Sequence, residues 1–127
     1  MITVERILDI FDDHGYKVHG YEEGDELCGY EIETWTEALG INMVHFIDCR
    51  NQDYEGGSVT PEKIVEELRD IWNGFDANQE AVSHWEAYPE LRGYGLRLLL
   101  EDMENYDSKL GDVVHDVTRK YMYEEDQ

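Results

Sequence analysis

At 127 residues the chain can bury an apolar core without disulfides or metals, and one domain is expected over residues 1–123, with 124–127 as a frayed acidic tail. Thirty-one Asp and Glu stand against ten Lys and Arg, a formal charge of −21, which excludes a basic surface for nucleic acid or anionic lipid. Nine Tyr, three Trp and three Phe within a 41% hydrophobic composition exclude a disordered acidic tail, and no apolar run nears the roughly 18 residues of a membrane span.

Residues 1–6 show no basic stretch leading into an apolar one, so no secretory signal is read and the cytoplasm is the expected compartment. Cys28 and Cys49 are then expected to be free thiols. Thr3 caps a predicted first helix with Glu5 in its first turn. Val4, Ile7, Leu8 and Phe11 recur at helical spacing, and Gly15 stops it. Three strand-like runs follow. Residues 16–21 alternate about Val18, and 22–26, acidic and containing Gly24, read as a turn. Residues 28–36 alternate cleanly, with Tyr30, Ile32 and Thr34 on one side and Glu31, Glu33 and Trp35 on the other. The run 41–49 is apolar on both sides, with Ile41, Met43 and Ile47 on one and Val44 and Phe46 on the other. Such a strand calls for a helix over each face, the commoner arrangement, or for a partner on one of them.

Residues 51–58, with two adjacent glycines, read as a loop. Thr60, Pro61 and Glu62 form a helix start of cap, proline and first-turn acid, followed by a stripe of Ile64, Val65, Leu68, Ile71, Trp72 and Phe75. Asp76, with Gln79 three residues on, caps a third helix whose Ala81, Val82 and Trp85 are expected to face inward, and Pro89 marks its end. A final helix is expected from Gly93 or Tyr94. Its stripe runs from Leu96 through Leu99, Met103, Tyr106, Leu110, Val113 and Val117 to Tyr121, and keeps phase across Gly111. Helix, three-stranded antiparallel meander and three helices, the last of them long, define an α+β fold.

The acids are arranged as well as numerous. Glu62, Glu66 and Asp70 fall at i, i+4, i+8, an arrangement whose like-charge pairs each cost a helix about 0.2–0.5 kcal/mol. Glu31 and Glu33 project from one side of the second strand, and Glu101, Asp102, Glu104, Asp107, Asp112 and Asp116 crowd the last helix. A carboxylate ladder at about 5.4 Å per helical turn presents charge much as a phosphate strand does, and each carboxylate accepts the bidentate fork of Arg. The alternative is that each ridge is the solvated side of an amphipathic helix. Tyr16, Tyr21, Tyr54 and Tyr88 sit at strand or loop edges, as interface anchors or as the rim of the core.

Signals for catalysis and metal are weak. His14, His19, His45, His84 and His115 lack metal-site spacing, and no Gly-rich phosphate loop is present. Asp48, Asn51, Asp53 and Glu55 lie close in sequence, but Arg50 stands where a calcium loop needs its second ligand. Cys28 and Cys49 fall across a hairpin centred near Leu39, as two buried thiols rather than a redox pair.

The strand GYEIETWT at 29–36, the stretch FDANQEAV at 75–82 with Trp85 after it, and the final helix from about Leu96 resemble small acidic proteins encoded by bacterial phages and conjugative elements. In element order and charge the chain also resembles acidic anti-CRISPR and antirestriction proteins that imitate DNA. The order is similar to that of the double-stranded RNA-binding domain too, whose basic binding surface this chain lacks. The resemblance implies a mobile-element setting and, by analogy of element order and charge, a protein that blocks a DNA-binding host-defence protein. The residues offer no catalytic, cofactor or metal constellation, and the charge argues against direct contact with nucleic acid or membrane. Charge and exposure make Glu31, Glu33, Trp35, Glu62, Glu66 and Asp70 the expected contacts with the partner's Lys and Arg. A self-associating structural or regulatory protein, a homodimer through the third strand, is the alternative.

Overall fold

In the computed structural model, which describes residues 2–50 and 59–123, the elements follow in the expected order. They are α1 (Val4–Asp13), β1 (Lys17–Glu23), β2 (Glu26–Trp35), β3 (Asn42–Asp48), α2 (Pro61–Gly74), α3 (Ala77–Ala87) and α4 (Leu96–Tyr123). The sheet is a meander of order β1-β2-β3 with both pairings antiparallel, and the fold is α+β.

Local chemistry sets most boundaries. Thr3, Thr60 and Asp76 each accept a backbone N–H three residues on, at 3.1, 3.2 and 3.2 Å, which satisfies one of the orphan donors at each helix start. The first hairpin is tighter than expected. Glu23 pairs with Glu26, so only Gly24 and Asp25 form the turn, and Gly24 supplies the positive φ of +62° that a two-residue turn needs. The final helix starts later than expected, at Leu96, because Pro89–Gly93 forms a separate 3₁₀ turn and Gly95 turns left-handed at φ +85°.

All the helical packing lies on one side of the sheet. The core joins Ile7, Ile10 and Phe11 of α1, Ile32, Met43 and Ile47 of the sheet, Ile64 and Leu68 of α2, and Leu99, Met103, Leu110 and Val113 of α4. Each such side chain contributes roughly 1.5–3 kcal/mol on burial. Tyr106 of α4 stacks on His45 of β3, with ring centres 5.7 Å apart, and meets Tyr16 edge-on at 6.4 Å. Tyr16 is therefore a core residue, 1% exposed, and not the strand-edge aromatic expected from sequence. Gly111 makes room for Trp72, since a Cβ there would stand 3.1 Å from the indole Cζ2, so α4 runs unbroken through it. Val82, expected to face inward, is exposed because α3 presents only Ala81 fully to the core.

The expectation that a helix covers each face of β3 is not met. Val44, on the far side from Met43 and Ile47, is 49% exposed. No described element packs over it, because α1, α2 and α4 all share the other side.

Candidate functional site

Strand alternation builds the uncovered side of the sheet. Cross-strand rows place Lys17, Glu33 and Val44 together, then His19, Glu31 and Phe46, then Tyr21, Gly29 and Asp48, with Trp35 beside Asn42 at one end. Trp35 is 60% exposed. A polar antiparallel face would need no such residue, and here an indole, a valine and two aromatic rings flank two central carboxylates. His19 Nε2 lies 3.5 Å from Glu33 Oε1. Glu31 forms neither an ion pair nor a side-chain hydrogen bond among the described residues, and it is exposed.

The end away from Trp35 is organised by Arg50. Its Nε and one terminal nitrogen donate to the two oxygens of Asp48 at 2.9 and 2.8 Å, and the other terminal nitrogen donates to Glu23 at 2.9 Å. The guanidinium also lies 5.9 Å from the ring centre of Tyr21 and 5.7 Å from that of Phe46. These two rings meet edge-to-face at 5.0 Å. The Arg50 hydrogen bonds hold the Asp48 carboxyl below its ordinary range, and the charge of Glu23 raises Tyr21. Arg50 thus also offsets the like-charge pairing of Glu23 with Glu26 at the hairpin tip.

Glu62, Glu66 and Asp70 do form a ridge, on the outer side of α2. With Val65, Arg69, Asn73 and Tyr121 they bound a shallow groove of about 400 Å³. The ridge is less negative than its sequence implies, since Lys63 Nζ lies 3.0 Å from Glu67 and 3.9 Å from Glu66. Oxygens of Glu66, Glu67 and Asp70 approach within 4.8 Å of one another, a spacing the sequence did not single out for a cation. The structure leaves the six expected contacts as two groups. Glu31, Glu33 and Trp35 share the open sheet face, while Glu62, Glu66 and Asp70 belong to a helix whose inner side packs on α4 and β3.

No protein-family model, no curated protein and no solved structure matches this chain. Function is therefore read from the residues themselves. No histidine hydrogen-bonds a Ser, Thr or Cys side chain among the described residues. His14 pairs with Asp116 at 3.1 Å, and His84 Nδ1 meets the Glu80 carbonyl at 2.9 Å. The open face is suited to binding: carboxylates to accept donors, and aromatic faces to stack on them.

The sequence reading misplaced one acid. Asp102, counted among the solvent acids of the last helix, is 1% exposed, and its Oδ1 accepts the Ala38 N–H at 3.2 Å. The signal was present in the helical phase, since Asp102 lies three residues after Leu99 and four before Tyr106, on the buried stripe. The loop residues Asn51, Asp53 and Glu55, together with Tyr54, fall outside the described residues, and Asp48 is already engaged by Arg50. Cys28 and Cys49 meet across β2 and the end of β3, where Cys49 N–H donates to the Cys28 carbonyl at 2.9 Å. Both are buried free thiols, and burial pushes Cys49 up to about 11.

Proposed function

We propose that this protein is an acidic protein-binding module of a mobile element, not an enzyme. It acts in the cytoplasm by occupying the basic, DNA-contacting surface of a host-defence protein. One observation carries the reading. An uncovered sheet face sets Glu31 and Glu33 between exposed Trp35, Val44 and the Tyr21–Phe46 pair. Aromatic anchors and acceptors of Arg are what a basic interface needs from its partner. The charge of −21 adds long-range attraction that speeds encounter. The mobile-element setting rests on the sequence resemblance. Self-association through the same face is disfavoured, because each copy would press Glu31 and Glu33 against a surface of the same sign.

The test is a tagged pull-down from host lysate with nuclease present, at about 50 and 500 mM salt, since screening separates these conditions. Recovery of a DNA-binding protein that is lost at high salt, and whose DNA binding this protein then blocks, supports the reading. Recovery of the bait alone, or as an oligomer by light scattering, returns the self-associating alternative. Glu31→Lys with Glu33→Lys is expected to abolish capture. A triple reversal at Glu62, Glu66 and Asp70 is expected to weaken it less.

A further inference from the structure

A second concavity adjoins the open face at Trp35. It lies between the turn after β2 and the middle of α4, holds about 510 Å³, and is lined by Trp35, Glu37, Asp102, Asn105, Lys109 and Asp112 among others. Three of these side chains are carboxylates and one is an ammonium, and the ammonium is already committed. Lys109 Nζ donates to Thr34 Oγ1 at 2.7 Å and lies 5.3 Å from the ring centre of Tyr16. Asp102 is the unusual member. Its Oδ1 is taken by Ala38, but its Oδ2 is buried with no hydrogen-bond partner among the described residues. A bare buried carboxylate oxygen is costly, and it calls for a donor supplied from elsewhere.

The chain carries its own example of what such a setting holds. Arg50 rests between two carboxylates and two aromatic rings at the opposite end of the sheet. The cleft offers the same ingredients, carboxylates beside an exposed indole, and no arginine lines it. We propose that this cleft is a receptor for a guanidinium group, that of an arginine side chain on the protein partner. The guanidinium donates to Asp102 Oδ2 and lies against Trp35, with Glu37 and Asp112 adding charge. Arginine suits it better than lysine, because a planar, weakly hydrated fork can stack and donate at once. The inference rests on the reading of the protein as a receptor for a basic partner, and narrows it to one anchoring side chain. Asp102 also tethers the turn through Ala38, so a ligand reaching Oδ2 is felt at the Ala38 amide.

The test needs no partner. The ¹⁵N-labelled full chain is titrated with N-acetyl-L-arginine N-methylamide and with its lysine and citrulline counterparts. Saturable shifts at the Trp35 indole, the Ala38 amide and the Asn105 side chain are expected, with the lysine compound on the order of tenfold weaker. Asp102→Asn keeps an acceptor for Ala38 and is expected to weaken the arginine compound on the order of tenfold or more. Trp35→Ala, at an exposed position, gives the same test should Asp102→Asn unfold. Absence of saturable shifts at these residues up to about 50 mM overturns the proposal. So does equal affinity for the neutral citrulline compound, or indifference to both substitutions. Arginine binding without capture of any protein leaves the receptor standing and removes the partner reading. Capture that ignores the arginine compound and both substitutions does the reverse.

Discussion

The two faces of this sheet are made from alternate residues of the same three strands, and they obey different rules. On the covered face, Ile32, Met43 and Ile47 take their neighbours from α1, α2 and α4, so each side chain is fixed by distant segments. On the open face, Glu31 and Glu33 have cross-strand neighbours, Phe46 adds the Arg50 guanidinium, and no described helix packs over them. Change on the first face is therefore expected to register as stability, and change on the second as binding.

The largest expected effect breaks that division. Gly29 belongs by alternation to the open face, yet a Cβ there would clash with the Ile47 carbonyl oxygen. Gly29→Ala is expected to cost about 3 kcal/mol or more in chemical denaturation, because backbone rather than a mobile side chain is in the way. A cost below about 1 kcal/mol would mean that β3 can move aside there. Next comes Ile32→Ala on the covered face, expected to lose about 2–5 kcal/mol. Trp35→Ala on the open face is expected to stay within about 0.5 kcal/mol in the same assay while costing about 2 kcal/mol of partner affinity by calorimetry. Equal stability losses at the two positions would erase the contrast.

A smaller effect concerns pH. Burial holds His45 below its ordinary value, between the rings of Phe75 and Tyr106. The unfolded chain binds this proton below about pH 6.5 and the folded chain resists it, so stability is expected to fall as pH drops from 7 to 5. His45→Phe should flatten that slope in denaturation series at each pH, and an unchanged slope would assign it to other groups. The smallest effect is general. Screening relieves the repulsion of a −21 surface, so moderate salt is expected to raise the melting temperature while it weakens partner capture.

Much of this was legible in the chain. The alternation at 28–36 assigned Tyr30, Ile32 and Thr34 to the inner side of β2, because one buried face fixes register. The caps at Thr3, Thr60 and Asp76 were equally readable, as was the stripe of α4 from Leu99 to Val117, although Leu96, expected to open it, is exposed. The fate of the second face of β3 was not. Val44 and Phe46 look the same under a helix or in the open, and the choice depends on three helices packing on one side. Nor could the sequence separate the acids of β2 from those of α2, since their placement depends on how α2 docks against α4 and β3. Arg50 is a further case, because its pairing with Glu23 spans 27 positions and is set by the two hairpins together.

One consequence follows from the length of α4. Its 28 residues supply Leu99, Met103, Tyr106, Leu110, Val113, Val114 and Val117 to a core shared with every other helix and with the sheet. Until that helix leaves the ribosome, the earlier elements lack the helix that α1, α2 and α3 all pack against. The emerging chain must hold its meander and first helices with their apolar sides bare, a state open to chaperones and prone to aggregation. Folding should therefore complete only once synthesis has passed α4, and truncations that remove this helix should be recovered as chaperone-bound or insoluble material.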